Sequence, residues 1–262
     1  MPPSRDLHKA KKAYEAGDIQ ASIAAHSASA KERHQHERGQ YIKSAVYGGL
    51  DGIITTFAVV AGAAGAKLTA GIVLILGFAN LIADGLSMAI GDYLSTKSEQ
   101  EYERAERRRE EWEIEHYPEG EKRELVELYV DKGLAPQDAE TIVAILSKNK
   151  DAWIDVMMVE ELGIFGSDES PLKNALVTFF SFGLFGFVPI LVYVAARFVP
   201  LFREATFEIA CLCTGLTLFA LGALKVKITG RNWFKSGLEM LLVGGVAAAA
   251  AYAVGALLGG LA

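Results

Sequence analysis

Apolar residues in this chain fall into long blocks joined by short polar stretches, with one long polar interruption. The first block runs from Ser44 to Ala66 and the second from Leu68 to Leu94, with only KLTAG between them. That joint allows nothing beyond a tight turn, so the two blocks predict an antiparallel helical hairpin. A polar stretch from about Lys97 to Lys173 follows, and then three more apolar blocks, Asn174–Ala196, Ile209–Leu224 and Ser236–Ala262. A membrane-spanning helix needs roughly 20 mostly apolar residues. Four blocks meet that length, and the fourth in order needs its flanking residues to reach both interfaces. The pattern predicts an all-α, polytopic membrane protein with five transmembrane helices and a three-helix cytoplasmic insert between spans two and three. The expected divisions are a polar N-terminal arm (1–43), the hairpin of spans one and two (44–97), a helical insert (98–172) and spans three to five (173–262).

Composition sharpens that picture. The 262 residues are 51% hydrophobic with a formal net charge of −6, yet the acid is concentrated in the insert. Such segregation belongs to a membrane protein with a soluble portion rather than to one large globular core. A basic groove with interleaved aromatics is absent from the sequence, which excludes nucleic-acid binding. Cys211 and Cys213 stand two positions apart in an apolar run. On a helix they point to different sides, so they read as packing residues and not as a disulfide. Residues 1 to 40 are polar and lack a signal-like apolar core. His8, His26, His34 and His36 in the arm fit no compact metal site.

An odd number of spans puts the ends of the chain on opposite sides. Lys225, Lys227, Arg231 and Lys235 lie on the side of the insert, against Lys67, Arg197 and Arg203 opposite. The positive-inside rule then makes the insert cytoplasmic and the C-terminus external or lumenal. Glycine recurs in the first and last spans (Gly48, Gly49, Gly52, Gly62, Gly65; Gly237, Gly244, Gly245, Gly255, Gly259, Gly260). These small residues mark faces for close helix packing or for a dimer contact.

Two carboxylates interrupt the apolar hairpin. Asp51 lies in SAVYGGLDGIITTFAVVAGAAGA, roughly 12 Å inward from Lys43 if the segment is helical. A carboxylate at bilayer depth costs at least ~2.5 kcal/mol, which marks an ion or proton path, unless Asp51 merely caps the helix at the interface. In span two, Asn80, Asp84, Met88 and Asp92 recur every four residues and share one helical face. Asp84 and Met88 thus add a hard and a soft ligand beside Asp51, with Asp92 solvated at the cytoplasmic end.

The insert carries the densest chemistry. Glu99, Glu103, Glu106, Glu110 and Glu113 step by four and three along one helical stripe, with Arg104, Arg107 and Arg108 off it. Stacked like charges are destabilising unless a cation binds between them. Pro118 and Gly120 break that helix, and Glu121 and Glu124 open a second, where they also suit the helix dipole. A third helix, Asp151 to Leu162, brings Met157, Met158 and Glu161 to one side. Adjacent methionines are often core plugs. With three helices each offering ligand pairs, carboxylates with thioethers suit a borderline ion such as Fe2+ better than Mg2+, while the carboxylates alone could equally hold Mn2+, Co2+ or Ca2+.

Three passages, YGGLDGIITTFAVVAG, ANLIADGLSMAIGDYLSTKSEQE and MMVEELG, resemble the vacuolar iron transporter family from about Tyr41 to the C-terminus. The resemblance implies a dimeric Fe2+/H+ antiporter that exports iron from the cytosol along a path at the dimer interface, lined by the first spans. It implies that Asp51 is the translocation aspartate and Met88 the methionine beside it. It also implies that Glu110, Glu113, Glu121, Glu124, Met157, Met158 and Glu161 are the cytoplasmic metal-binding set. The family often has a glutamate where this sequence has Asn80, and Asp84 offers a carboxylate one turn on.

The expected activity is therefore proton-coupled antiport of Fe2+, with Mn2+ and Co2+ as further substrates. No enzymatic step and no prosthetic group are expected. The partners are divalent metal ions, protons, the lipid bilayer and a second copy of the chain. The expected membrane is the inner membrane in a bacterium and the vacuolar membrane in a eukaryote. Proton coupling has a simple basis: a carboxylate holds a proton or helps hold a cation, and metal favours its ionised form. One alternative is a membrane-anchored iron-oxidising enzyme. Such sites usually take a Glu-x-x-His pair from each of two helices, whereas the insert holds one histidine, His116. The other alternative is a metal-sensing scaffold, which leaves Asp51 and Asp84 as unexplained costs in the bilayer.

Overall fold

A computed structural model describes residues 7–27, 36–166, 169–229 and 232–260. Every long regular element among them is an α-helix, in the order α1 (Leu7–Ala16), α2 (Ile19–Ser27), α3 (His36–Gly65), α4 (Ala70–His116), α5 (Pro118–Asp131), α6 (Pro136–Leu146), α7 (Lys150–Glu160), α8 (Pro171–Ala195), α9 (Thr206–Thr229) and α10 (Trp233–Leu258). The chain divides into two compact units, 1–43 and 44–262. In the first, α1 and α2 form a hairpin that buries Ala13 and Ala25. Its turn uses Gly17 at φ +64°, a left-handed conformation that glycine adopts without a Cβ penalty. Asp18 accepts a hydrogen bond from the Ala21 amide at 3.0 Å, which caps the start of α2. The side chains of His8, His26, His34 and His36 lie outside the described residues.

Five helices of the chain, α3, α4, α8, α9 and α10, are long and apolar enough to cross a membrane, as the sequence predicts. The second of them departs from expectation in extent. Span two does not end near Leu94; α4 continues unbroken for 47 residues to His116, about 70 Å of helix. The hydrocarbon core is only roughly 30 Å thick, so the charged half of α4, from about Lys97, projects beyond it. The continuity has a plain cause. After Gly91 there is neither Gly nor Pro until Pro118, and the Glu, Arg and Lys of that stretch are good helix formers.

The insert is completed by α5, α6 and α7. Pro118 and Pro136 stand at the first positions of α5 and α6, where the missing N–H costs nothing. Helix α6 is additional to the three insert helices expected from the sequence, and it buries Ala139 and Val143. These helices close around Ile114, Leu125, Val143, Trp153, Ile154, Met157 and Met158. Ion pairs lash α4 to α7: Arg107 with Asp155 at 2.5 Å, and Lys150 with both Glu111, at 2.9 Å, and Glu115.

Among the membrane helices the glycines resolve one open question. Gly48 and Gly52 of α3 lie directly on the α8 backbone, where a Cβ would sit 2.6 Å from Thr178 O and 2.4 Å from Phe182 O. A Cβ on Gly255 of α10 would meet Gly62 O of α3 at 1.9 Å. Most of these glycines therefore serve packing within one chain, while Gly245 and Gly260 face open space. Gly52→Ala is expected to destabilise the protein by about 1–3 kcal/mol through overpacking. Gly245→Ala, with nothing within 4 Å of its Cβ, should melt like the parent. Thermal unfolding in detergent measures both, and equal melting temperatures would refute the packing account.

Candidate functional site

The continuous α4 carries chemistry at both ends. In its membrane half, Asn80 donates from Nδ2 to Thr56 Oγ1 of α3 at 3.3 Å, fixing the polar face of α4 toward α3. Gly52 of α3 and Gly85 of α4 both lie against Phe182. Asp51 and Asp84, each one residue earlier, therefore stand at the same level, close enough to interact electrostatically. Met88 follows Asp84 by one turn, and all three side chains are partly exposed. Asp51 lies well inside α3, so it does not cap that helix; its carbonyl accepts a hydrogen bond from Thr55 Oγ1 at 2.8 Å.

Asp92 is not simply solvated. It accepts a hydrogen bond from Thr178 Oγ1 of α8 at 2.5 Å. One turn further along each helix, Asn174 Nδ2 donates to Thr96 Oγ1 at 3.2 Å and to Glu169 Oε2 at 2.7 Å. These bonds clasp α8 to α4 where α4 leaves the apolar region.

In the projecting half, tertiary packing turns a stripe of glutamates into a cluster. Glu110 of α4, Glu121 of α5 and Glu161, at the C-terminal end of α7, bring carboxylate oxygens within 4.8 Å of one another. A single ion could bridge all three. Glu110 is 1% exposed and Glu121 7%. Buried Oε2 atoms of Glu110 and Glu161 have no hydrogen-bond partner among the described residues. An unpaired buried carboxylate oxygen is costly, and a bound cation would remove that cost.

The electrostatics agree. Burial, and then the charges of Glu161, Glu121 and Glu113, push Glu110 up to about 7. Burial, and then Glu124, Glu113 and Glu161, push Glu121 up to about 7 as well. Glu161 is raised by burial and then by Glu124 and Glu113. Glu113 is half-buried and Glu124 exposed, so both form the rim.

Met157 and Met158 are buried, at 0% and 4% exposure. They belong to the apolar cluster with Ile114 and Leu125, one turn from Glu161, Glu110 and Glu121 respectively. The cluster thus forms an apolar wall beside the carboxylates, and both methionines lie in it. Glu99 is exposed, whereas Glu103 and Glu106 are partly buried on the way to the site. His116 follows Glu113 by three, but its Nδ1 lies 2.8 Å from Trp112 O and its ring stacks on Trp112. Among the described residues, no His or Cys joins Glu110, Glu121 and Glu161 in this cluster.

Arg109 is a site residue not expected from the sequence. Its guanidinium reaches Glu106 Oε2 at 3.0 Å and Glu110 Oε1 at 3.1 Å. The signal was its spacing, three after Glu106 and four before Glu113.

Residues 42–256 match the model of the VIT family. A protein called vacuolar iron transporter from Toxoplasma gondii is 45% identical over 268 residues, covering 97% of this chain and 89% of the relative. One of the same name from Plasmodium falciparum is 35% identical, covering 97% of each. Vacuolar iron transporter 1 of Arabidopsis thaliana is 34% identical, over 82% of this chain and 84% of the relative. An alignment over 97% of the chain enters the N-terminal arm, so likeness to the Toxoplasma protein extends beyond the stretch from Tyr41 onward.

Proposed function

This chain belongs to the VIT family, and from that premise we propose that it exports Fe2+ from the cytosol in exchange for protons. Mn2+ and Co2+ are further substrates that the same donor set can hold. The observation that carries the reading is the pairing of two acidic sites on one rigid helix. Glu110, with its unpaired Oε2, stands at the projecting end of α4, and Asp84 and Met88 stand in the membrane half beside Asp51.

Glu110, Glu121 and Glu161 take up the ion, with Glu113 and Glu124 at the rim drawing it in and Met157 and Met158 as the remaining family-implied ligands. Capture displaces protons, because each carboxylate must ionise to bind metal. The ion then passes to Asp51 and Met88, with Asp84 supplying the second carboxylate. A proton arriving from the far side neutralises Asp51 and releases the ion. The insert faces the cytosol under the positive-inside rule.

The path lies between two copies of the chain. The membrane half of α4 leaves Ile75, Ile82, Leu86 and Ile90 exposed, and a Cβ on Gly91 would meet nothing, which leaves this face open to a partner helix. The membrane is vacuolar in a eukaryote and the inner membrane in a bacterium.

Proteoliposomes with an acidic lumen test the proposal. Uptake of Fe2+ or Mn2+ should be accompanied by lumenal alkalinisation and should fall to background without the proton gradient. Uptake indifferent to the gradient would reject antiport. Oxygen consumption on adding Fe2+, without uptake, would favour an oxidase.

A further inference from the structure

On the reading that the carboxylate cluster captures metal, we propose that Arg109 is a positioning residue that sets which divalent ions the cluster accepts. By occupying one oxygen of Glu110, it obliges that carboxylate to bind metal through the other oxygen alone.

Adjacent residues on a helix do not face each other, so the Arg109–Glu110 contact needs a cause. Glu106 and Glu113, three before and four after Arg109, supply it. The guanidinium is held by Glu106 Oε2 at 3.0 Å, with its Nε 4.0 Å from Glu113 Oε2. That grip folds the side chain across its own helix and places Nη2 3.1 Å from Glu110 Oε1. Arg109 stays 48% exposed while Glu110 is 1% exposed, so the cation stands at the mouth of the cluster and the carboxylate inside it. Both contacts are made by Nη2, so one nitrogen bridges Glu106 and Glu110. Glu110 is thus left with Oε2, buried and unpaired, in the cluster with Glu121 and Glu161.

Two effects follow, and they differ in kind. The positive charge opposes any divalent cation, and it weakens all of them alike. Occupation of Oε1 does not act alike. Ca2+ takes about six to eight oxygens and commonly takes both from one carboxylate, whereas smaller ions are satisfied by fewer. A carboxylate restricted to one oxygen therefore disfavours Ca2+ relative to Mn2+ or Fe2+. Outer-shell partners of metal ligands act in this way, by orienting the ligand.

The test is competitive binding of Mn2+ and Ca2+ to the full chain in detergent, counting the component that Glu110→Gln removes. Arg109→Gln is expected to raise the affinity for Ca2+ relative to Mn2+ by about fivefold or more. Arg109→Lys should stay within about twofold of the parent, because an ammonium can still occupy Oε1. Glu106→Gln, which loosens the guanidinium, should shift the ratio in the same direction as Arg109→Gln. It decides the matter should Arg109→Gln lose helical content by circular dichroism. If Arg109→Gln strengthens or weakens both ions equally, the proposal is overturned while capture by the cluster stands. Absence of any Glu110-dependent binding in the parent would overturn the capture reading and this proposal with it.

Discussion

Asparagine in place of Asp51 is expected to reduce proton-driven metal uptake into proteoliposomes to background, while metal binding by the carboxylate cluster stays at the parental level. Asparagine keeps the shape of the side chain but can neither take up a proton nor meet a dehydrated cation with charge. Asp51 sits in the interior of α3, level with Asp84, so no nearby helix end shares its role. The cluster lies about 40 Å further along α4 from Asp84, beyond the reach of a local change at Asp51. Folding should not suffer, since removing a carboxylate from bilayer depth relieves a cost of at least ~2.5 kcal/mol. Uptake assays and binding isotherms on the same preparation check the result. Full transport by Asp51→Asn would remove this residue from the coupling.

Glutamine in place of Glu110 should have two opposite effects. Without metal the protein should become more stable at neutral pH; with metal it should gain little. The shift of Glu110 from 4.5 to about 7 is a folded-state penalty on its charged form, on the order of 3 kcal/mol. The sign follows from the direction of the shift. A carboxyl group whose folded pKa is raised contributes most stability below its unfolded value near 4.5, and that contribution is lost as pH rises through about 7. The metal-free parent should therefore melt higher at pH 5.5 than at pH 7.5, and Mn2+ should rescue it at pH 7.5. Affinity for the metal should run the other way, falling roughly tenfold or more per pH unit below 7 as protons compete. Glu110→Gln should flatten both dependences at this position and weaken Mn2+ binding by about a hundredfold. Thermal melts with and without Mn2+ at both pH values measure this. A destabilised metal-free variant that still gains as much from Mn2+ as the parent would refute the account.

The five membrane helices were legible because hydropathy is a local property of the chain, readable in windows of about 20 residues. The extent of α4 was not. At Lys97 the composition turns abruptly from apolar to charged, which mimics a domain boundary, while helix propensity does not change there at all. The true signal was the absence of Gly and Pro between Gly91 and Pro118. Helix α6 carries no candidate chemistry to single it out, although Pro136 followed by Ala139 and Val143 has the form of a short amphipathic helix. Spacing puts Glu110 on one stripe with Glu113, Glu121 three residues from Glu124, and Glu161 on one side with Met157 and Met158. Only packing could separate Glu110, Glu121 and Glu161 from Glu113 and Glu124, which remain nearer the solvent. Arg109 was hidden by a stripe counted in carboxylates. The glycines could be read as small contact residues, but whether the contact lay within one chain or between two depends on which backbone approaches.

The unbroken α4 also acts as a fixed phase angle. Every residue between Asp92 and Glu110 turns the far end by about 100° relative to the near end. A single insertion or deletion there would swing Glu110, together with the α5 and α7 that pack on the projecting end, about the axis relative to Asp84 and Asp51, even though every ligand remained in the sequence. Only changes near whole turns, such as seven or eleven residues, would nearly restore the alignment, and they would still move the cluster by 10 Å or more along the axis. Length in this stretch is therefore constrained as tightly as identity is at the ligands, although its outward side chains are free to vary.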